Sequence, residues 1–236
     1  YLPYQEPDLK AGKDITQEQV DRRMRTMQML IGNAIYVPGW LPAVEPASQI
    51  TCPSLEETAK RALAIMGVAI YSECLLDEKQ GVEKAQNFLM DYIDNNNTQD
   101  YFSPREWRYL HDTAPDRKEV LSFLRQYESL YVVEWALGLV EELGFPDHPC
   151  NPADLVKSLR NGTSISKIMA KSRPKSPREL LDACDLISCL EWSCINARRH
   201  ELPEPAGMKT GVVREWHKAL NWLTGHGQWD EVRANS

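Results

Sequence analysis

Three helix-start signatures constrain this chain more than any other feature. They are Ser54 with Glu57, Ser103-Pro104-Arg105-Glu106, and Ser176-Pro177-Arg178-Glu179. In each, the serine hydroxyl accepts a backbone N–H that the first helical turn leaves unpaired. The glutamate three residues on accepts the N–H of the serine itself. Proline at the first helical position costs nothing, because an N–H there has no partner anyway. Asp116, Asn151-Pro152 and Thr210 mark further starts. Strand signals are scarce: no period-two apolar runs occur, and Asn161-Gly162 lies in a polar stretch and joins no alternating segments. The chain is therefore expected to be all-α, a single multi-helix globular domain.

Apolar spacing places the helices. Val20, Met24, Met27 and Ile31 recur on one face of a first helix that Gly32 and Asn33 stop. Pro38, Pro42 and Pro46 surround Trp40 in a segment without periodicity, read as an ordered loop pinned by burial of the indole. Leu55, Ala59, Ala62, Met66, Ala69 and Ile70 stripe a second helix, and a third runs from Val82 to Ile93. A short helix passes through Trp107. The fifth extends from Asp116 to Leu143, where Gly144 and Pro146 end it. Between Leu130 and Val140 it is apolar on nearly every side, which marks a central, largely buried long helix. The seventh reaches about Arg199, and the last, from Thr210, ends at Gly225. The second, fifth and seventh are expected to form the centre. One domain over residues 1–236 follows, with its core at about 16–225 and loose termini at 1–14 and 228–236.

Absent motifs narrow the chemistry. Gly207-Met208-Lys209-Thr210 lacks the glycine before lysine that a phosphate-wrapping loop needs. A dinucleotide fingerprint, a G-x-S-x-G elbow and H-E-x-x-H are all missing. His148 and Cys150 alone do not make a metal site. No metal, no cofactor and no catalytic set is expected. The six cysteines form no C-x-x-C pair and read as reduced and buried. Asn96-Asn97-Thr98 and Asn161-Gly162-Thr163 match the glycosylation triplet, which carries weight only in a secreted chain. No run approaches the roughly 18 apolar residues of a spanning helix, so no membrane partner is expected. A cytoplasmic location is expected, although the start at Tyr1 leaves a removed upstream segment open.

Three constellations remain. First, charges fall where core stripes should be apolar: Glu73, Glu134, and the pair Glu191 and Arg198 seven residues apart. Burying a charge is costly unless it is paired, so Arg61 and Arg198 are the natural counter-ions. A polar pocket between helices and a set of structural ion pairs are the competing readings. Second, His217 and Asn221 stand at i and i+4 beside the Val213, Trp216, Leu220, Leu223 stripe, placed to hold a ligand, relay a proton or bridge two helices. Third, residues 155–178 carry seven bases and no acid, a +7 block in a chain of net charge −7. Lys167, Lys171, Arg173, Lys175 and Arg178 are its candidate anion-binding residues, although no aromatic residue there can stack on bases.

Tyr127-Glu128-Ser129-Leu130-Tyr131-Val132-Val133-Glu134-Trp135-Ala136-Leu137-Gly138 resembles a signature of the uncharacterised family called domain of unknown function 4272. Lys60-Arg61-Ala62-Leu63-Ala64, Ser103-Pro104-Arg105-Glu106 and the block from Gly211 to Leu223 resemble its other motifs, so that the likeness spans roughly Asp21 to Val232. Glu134 and Trp216 depart from the pattern, which has a leucine-like residue and Arg there. The resemblance implies an all-helical fold and no particular activity. It directs attention to Glu128, Arg61, His217 and Asn221. The candidate pocket is thus Arg61, Glu73, Glu128, Glu191, Arg198, His217 and Asn221.

The reading leans away from an enzyme. A binding or protein-interaction domain of accessory or immunity type, with a protein partner, is expected first. A small-molecule enzyme with a carboxylate and histidine pocket is the alternative. Phosphate or nucleic-acid binding through 155–178 is the second alternative.

Overall fold

The computed structural model describes residues 15–77, 79, 81–160 and 164–234. Residues 1–14 and the triplet at 161–163 lie outside the described residues. The helices are α1 (Gln17–Gly32), α2 (Leu55–Leu75), α3 (Gly81–Asn96), α4 (Pro104–Leu110), α5 (Arg117–Leu124), α6 (Gln126–Ala136), α7 (Pro152–Arg160), α8 (Ile165–Lys171), α9 (Pro177–Arg199) and α10 (Thr210–Leu223). Among the described residues there is no strand. All three serine boxes form as expected, each with both reciprocal hydrogen bonds.

The central, largely buried long helix is α2. It packs against α3, α4, α5, α6 and α8, and from Ala59 to Ala69 only Lys60 is not fully buried. Small residues let neighbours approach it closely. A β-carbon on Gly67 would stand 2.6 Å from the ring of Tyr92. The Tyr92 hydroxyl donates to the Leu63 carbonyl at 2.6 Å, which locks α3 across α2.

The expected helix from Asp116 to Leu143 is divided. It lapses at Arg125 and ends at Ala136. Gly138 ends it, with φ +72. There the carbonyls of Leu137 and Ala136 accept from the backbone N–H groups of Arg173 and Lys175, both at 2.8 Å. A β-carbon on Gly138 would lie 2.0 Å from the Arg173 carbonyl oxygen, so this crossing requires glycine. The unbroken apolarity of α6 has a simple cause. Val132, Trp135 and Ala136 enter a core shared with α1, α9 and α10. Tyr127, Leu130, Val133 and Leu137 enter another, shared with α2, α7 and α8.

Three further expectations need correction. On α1 the buried set is Arg22, Arg23, Thr26, Met27 and Leu30, while Met24 and Ile31 are exposed. The helix is turned to place Arg23 against Asp185 of α9, at 2.8 and 3.0 Å. Trp40 is also exposed, so indole burial does not hold the proline-rich loop. Arginines do. Arg23 donates to the carbonyls of Leu41 and Pro42 and Arg22 to those of Val44 and Glu45, at 2.7 to 3.1 Å. A segment without secondary structure needs such donors for its buried carbonyls.

Finally, the described part of the expected loose C-terminus is docked. Trp229 and Val232 are buried. The Asp230 carboxylate accepts from Ser103 Oγ at 2.5 Å and from the backbone N–H of Arg105 at 2.9 Å, against the start of α4.

Candidate functional site

The seven pocket candidates do not meet in one place. Arg61 pairs with Glu106, a buried carboxylate that also accepts from the Trp229 indole at 3.1 Å and from the Ser103 backbone N–H at 2.8 Å. The Arg61 guanidinium lies 4.9 Å from the Trp229 ring centre. Arg61 is therefore committed to a counter-ion other than Glu73, Glu134 or Glu191. Glu73 is exposed at the end of the α2 stripe and accepts from the Tyr127 hydroxyl at 2.8 Å. Burial and that carboxylate both push the Tyr127 phenol up. Glu128 is buried, with one oxygen accepting from the Cys150 backbone N–H at 2.8 Å and the other from Trp216 Nε1 at 3.0 Å.

Glu191, His217 and Asn221 do come together. His217 Nδ1 donates to Glu191 Oε2 at 2.5 Å, with Arg214 Nε 3.7 Å from the other oxygen. The expected partner Arg198 is instead exposed at the end of α9, because the i+7 position lies two turns further along the axis, past the core. His217 and Asn221 line a cleft of about 400 Å³, with Leu41, Val44, Cys184 and Trp192 as its apolar wall. Asn221 donates to the Arg233 carbonyl at 2.8 Å and accepts from Cys184 Sγ at 3.4 Å. With Nδ1 held by a carboxylate, Nε2 is the histidine nitrogen left for an incoming group. Burial pushes the Cys184 thiol up to about 12, so the sulfur beside the histidine stays protonated at neutral pH and is a poor nucleophile.

Glu134 is fully buried on α6. Its Oε2 accepts from Ser158 Oγ of α7, and its Oε1 has no partner among the described residues. Burial raises this carboxyl to about 8 despite the Ser158 bond, so it is largely protonated at neutral pH. The unfolded chain gives up this proton near pH 4.5 and the folded chain only near pH 8. Stability therefore falls as pH rises between those values. Glu134→Gln should match the wild type at pH 4.5 and exceed it at pH 8 by about 2–4 kcal/mol, read from urea denaturation at both pH values. Equal stability of the two chains at pH 8 would show that the buried carboxyl ionises freely.

Among the basic-block residues, Lys167, Lys171, Arg173 and Arg178 are exposed. Lys175 is half-buried, 5.5 Å from the Trp135 ring centre and 3.8 Å from Glu179. Leu155, Leu159 and Ile168 turn the apolar sides of α7 and α8 into the core. The block is thus a charged outer surface over an apolar inner one.

Sequence reasoning missed Arg22, Arg23, Asp185, Glu106 and Trp229. A signal was present for the central pair. Arg23, Thr26, Met27 and Leu30 share one helical face, as do Leu181, Cys184 and Asp185. The test that singled out Glu134, a charge inside an apolar stripe, finds both.

An apolar groove of about 360 Å³ lies between α1, α9 and residues 141–146. Met29, Trp135, Leu143, Leu186 and Trp216 line it, and Glu141, Glu142, Glu179 and Asp182 rim it. Asp182 is engaged by Arg25 at 2.7 Å. Glu141 and Glu142 are exposed, and the Tyr131 hydroxyl fixes their loop by donating to the Glu142 carbonyl at 2.9 Å.

Among the described residues, no group of three or more His, Cys, Asp or Glu is placed to hold a metal ion, and no helix is long and apolar enough to cross a membrane. These elements define an all-helical protein crossed by buried ion pairs and cut by an apolar groove and a histidine cleft. The chain belongs to the family described as Domain of unknown function (DUF4272), whose model matches residues 22–232. No curated protein and no solved structure matches it.

Proposed function

We propose that this chain is a non-enzymatic protein-interaction domain of accessory or immunity type, with the groove between α1 and α9 as its docking surface. The observation that carries this reading is the pairing of an apolar floor with an acidic rim. Met29 is 51% exposed at one wall and adds its side chain to an apolar surface continuous with Trp135, Leu143 and Leu186. Hydrogen bonding of Ser176 holds Glu179 below the usual carboxylate range. The fitting occupant is an amphipathic helical segment with apolar anchors and flanking lysines or arginines.

The test compares wild type and Met29→Glu as affinity baits in an extract of the source cells. A partner held by the wild type should bind Met29→Glu at least about tenfold more weakly, with weaker binding also after Glu141→Lys with Glu142→Lys. Met29 is exposed, so its replacement leaves the fold intact. Equal capture by wild type and Met29→Glu would rule out the groove.

The Glu191–His217 pair favours a second reading, a small-molecule enzyme. A carboxylate that orients an imidazole in a mostly apolar cleft is a proton-transfer arrangement. Its mark would be a turnover lost in His217→Gln, with Met29→Glu unaffected.

A further inference from the structure

A third concave surface shares Ala234 with the histidine cleft and no residue with the α1–α9 groove. It is a basin of about 340 Å³ between the α5–α6 junction, the first turns of α10, the start of α4 and residues 230–234. Five cations line it: Arg105, Arg125, Arg214, Lys218 and Arg233. They come from four separate segments, and none belongs to the basic block at 155–178. Two acids share the basin, and both are engaged. Ser129 Oγ donates to Glu215 at 2.9 Å, and Asp230 holds Ser103 and the Arg105 backbone N–H. The balance of charge is positive in a chain that is acidic as a whole.

Three details indicate what the cations would hold. Lys218 Nζ sits 4.3 Å from the Trp229 ring centre, half-buried. Burial pulls its ammonium below the ordinary lysine range, so an anion beside it would offset a charge the fold holds at a cost. Gly211 lies in the first turn of α10, where Glu204, outside the basin, takes the Thr210 N–H at 3.0 Å and the next N–H groups lack intrahelical acceptors; a β-carbon on Gly211 would meet nothing within 4 Å. The basin is therefore open at the positive end of a 14-residue helix. Gln126 is 97% buried by its 3% exposure, lines the basin, and carries an Oε1 with no hydrogen-bond partner among the described residues. A buried acceptor of this kind calls for a donor.

We infer that this basin is a binding site for a small phosphomonoester that also carries hydroxyl groups. The cations and the α10 first turn take the phosphate, and Gln126 accepts from a ligand hydroxyl. A volume near the lower end of the roughly 300–1,000 Å³ usual for ligand sites suits a single metabolite and no polymer. The site is independent of the α1–α9 groove.

The test is calorimetric titration of the full chain with glycerol 3-phosphate, glucose 6-phosphate and inorganic phosphate, with glycerol and glucose as controls. At least one phosphomonoester should bind saturably with Kd below about 1 mM, at least about tenfold tighter than inorganic phosphate, and the unphosphorylated controls should not bind. Arg125→Ala with Arg214→Ala should weaken binding at least about tenfold. Both residues are exposed, but Arg214 also faces buried Glu191, so Arg125→Ala alone, with an unchanged thermal melt, should weaken binding in the same direction. Gly211→Glu is the sharper variant. It leaves every cation in place and adds a first-turn carboxylate that suits the helix, so it should melt no lower than wild type yet abolish binding. Lys171→Ala with Arg173→Ala should change nothing. Absence of saturable binding by either phosphomonoester, or binding untouched by Gly211→Glu, overturns the site. Equal affinity for inorganic phosphate and the esters overturns the role of Gln126.

Discussion

Asp185→Ala should lower the stability of this protein by about 3–5 kcal/mol. Asp185 and Arg23 are each 1% exposed. The carboxylate accepts two hydrogen bonds from the guanidinium and a third from Thr26 Oγ1 at 2.7 Å. Burial works against the Arg23 charge, and the bonds to Asp185 more than restore it. With Asp185 gone, a full positive charge stays in the core with only the Leu41 and Pro42 carbonyls for company. The loss is set by that stranded charge and exceeds the net value of the pair. Arg23→Met with Asp185→Leu should therefore recover much of it, because an apolar pair needs no counter-ion. Recovery stays incomplete, since the two loop carbonyls lose their donors. Because both groups are shielded from solvent, the penalty should persist at 1 M salt, at which exposed pairs are screened within about 3 Å. Urea denaturation of the three variants measures each step. A cost for Asp185→Ala below about 1 kcal/mol would mean that Arg23 finds water or another partner.

Trp229→Ala is expected to cost a similar amount, about 3–5 kcal/mol. The indole packs edge-on to Trp222 with ring centres 5.7 Å apart. Its N–H serves Glu106, the same carboxylate that neutralises Arg61. Truncation opens a cavity and leaves a buried carboxylate oxygen without its donor. It also removes the aromatic face between Arg61 and Lys218. Residues 228–234 should then exchange amide hydrogens faster, since Trp229 is their main anchor. Trp229→Phe keeps most of the packing and loses the N–H, so it should cost about 1–3 kcal/mol. Unchanged exchange in this segment after Trp229→Ala would place its anchor at Asp230 and Asn221 instead.

Helix starts were readable because a cap is local chemistry. Ser54, Ser103 and Ser176 each act on backbone groups within three residues. The stripe of α10 was readable for a related reason: Val213, Trp216, Leu220 and Leu223 are all apolar, so periodicity alone identifies their face. On α1 the same rule selected the wrong face. A buried arginine scores as polar, and the carboxylate that makes its burial tolerable is 162 residues away. Of the seven pocket candidates, His217 and Asn221 line one cleft and Glu191 bonds His217 from behind it, because the three lie on neighbouring helices that pack directly. Arg61, Glu73, Glu128 and Arg198 do not join them. Their partners, Glu106, Tyr127, Cys150 and Trp216 among them, sit on elements whose placement no spacing rule supplies.

The division has one physical origin. Backbone capping and apolar periodicity act over one or two turns, so composition and order along the chain suffice to specify helices, their ends and the absence of sheet. Which carboxylate neutralises which buried arginine depends on desolvation, and desolvation is a property of the assembled core. Packing of α9 on α1 turned Arg23 inward. Docking of Trp229 onto Glu106 made a buried wall of an expected tail. The same docking brought Asp230 against the start of α4 and Arg233 against α10, and closed the basin whose cations lie far apart in the chain.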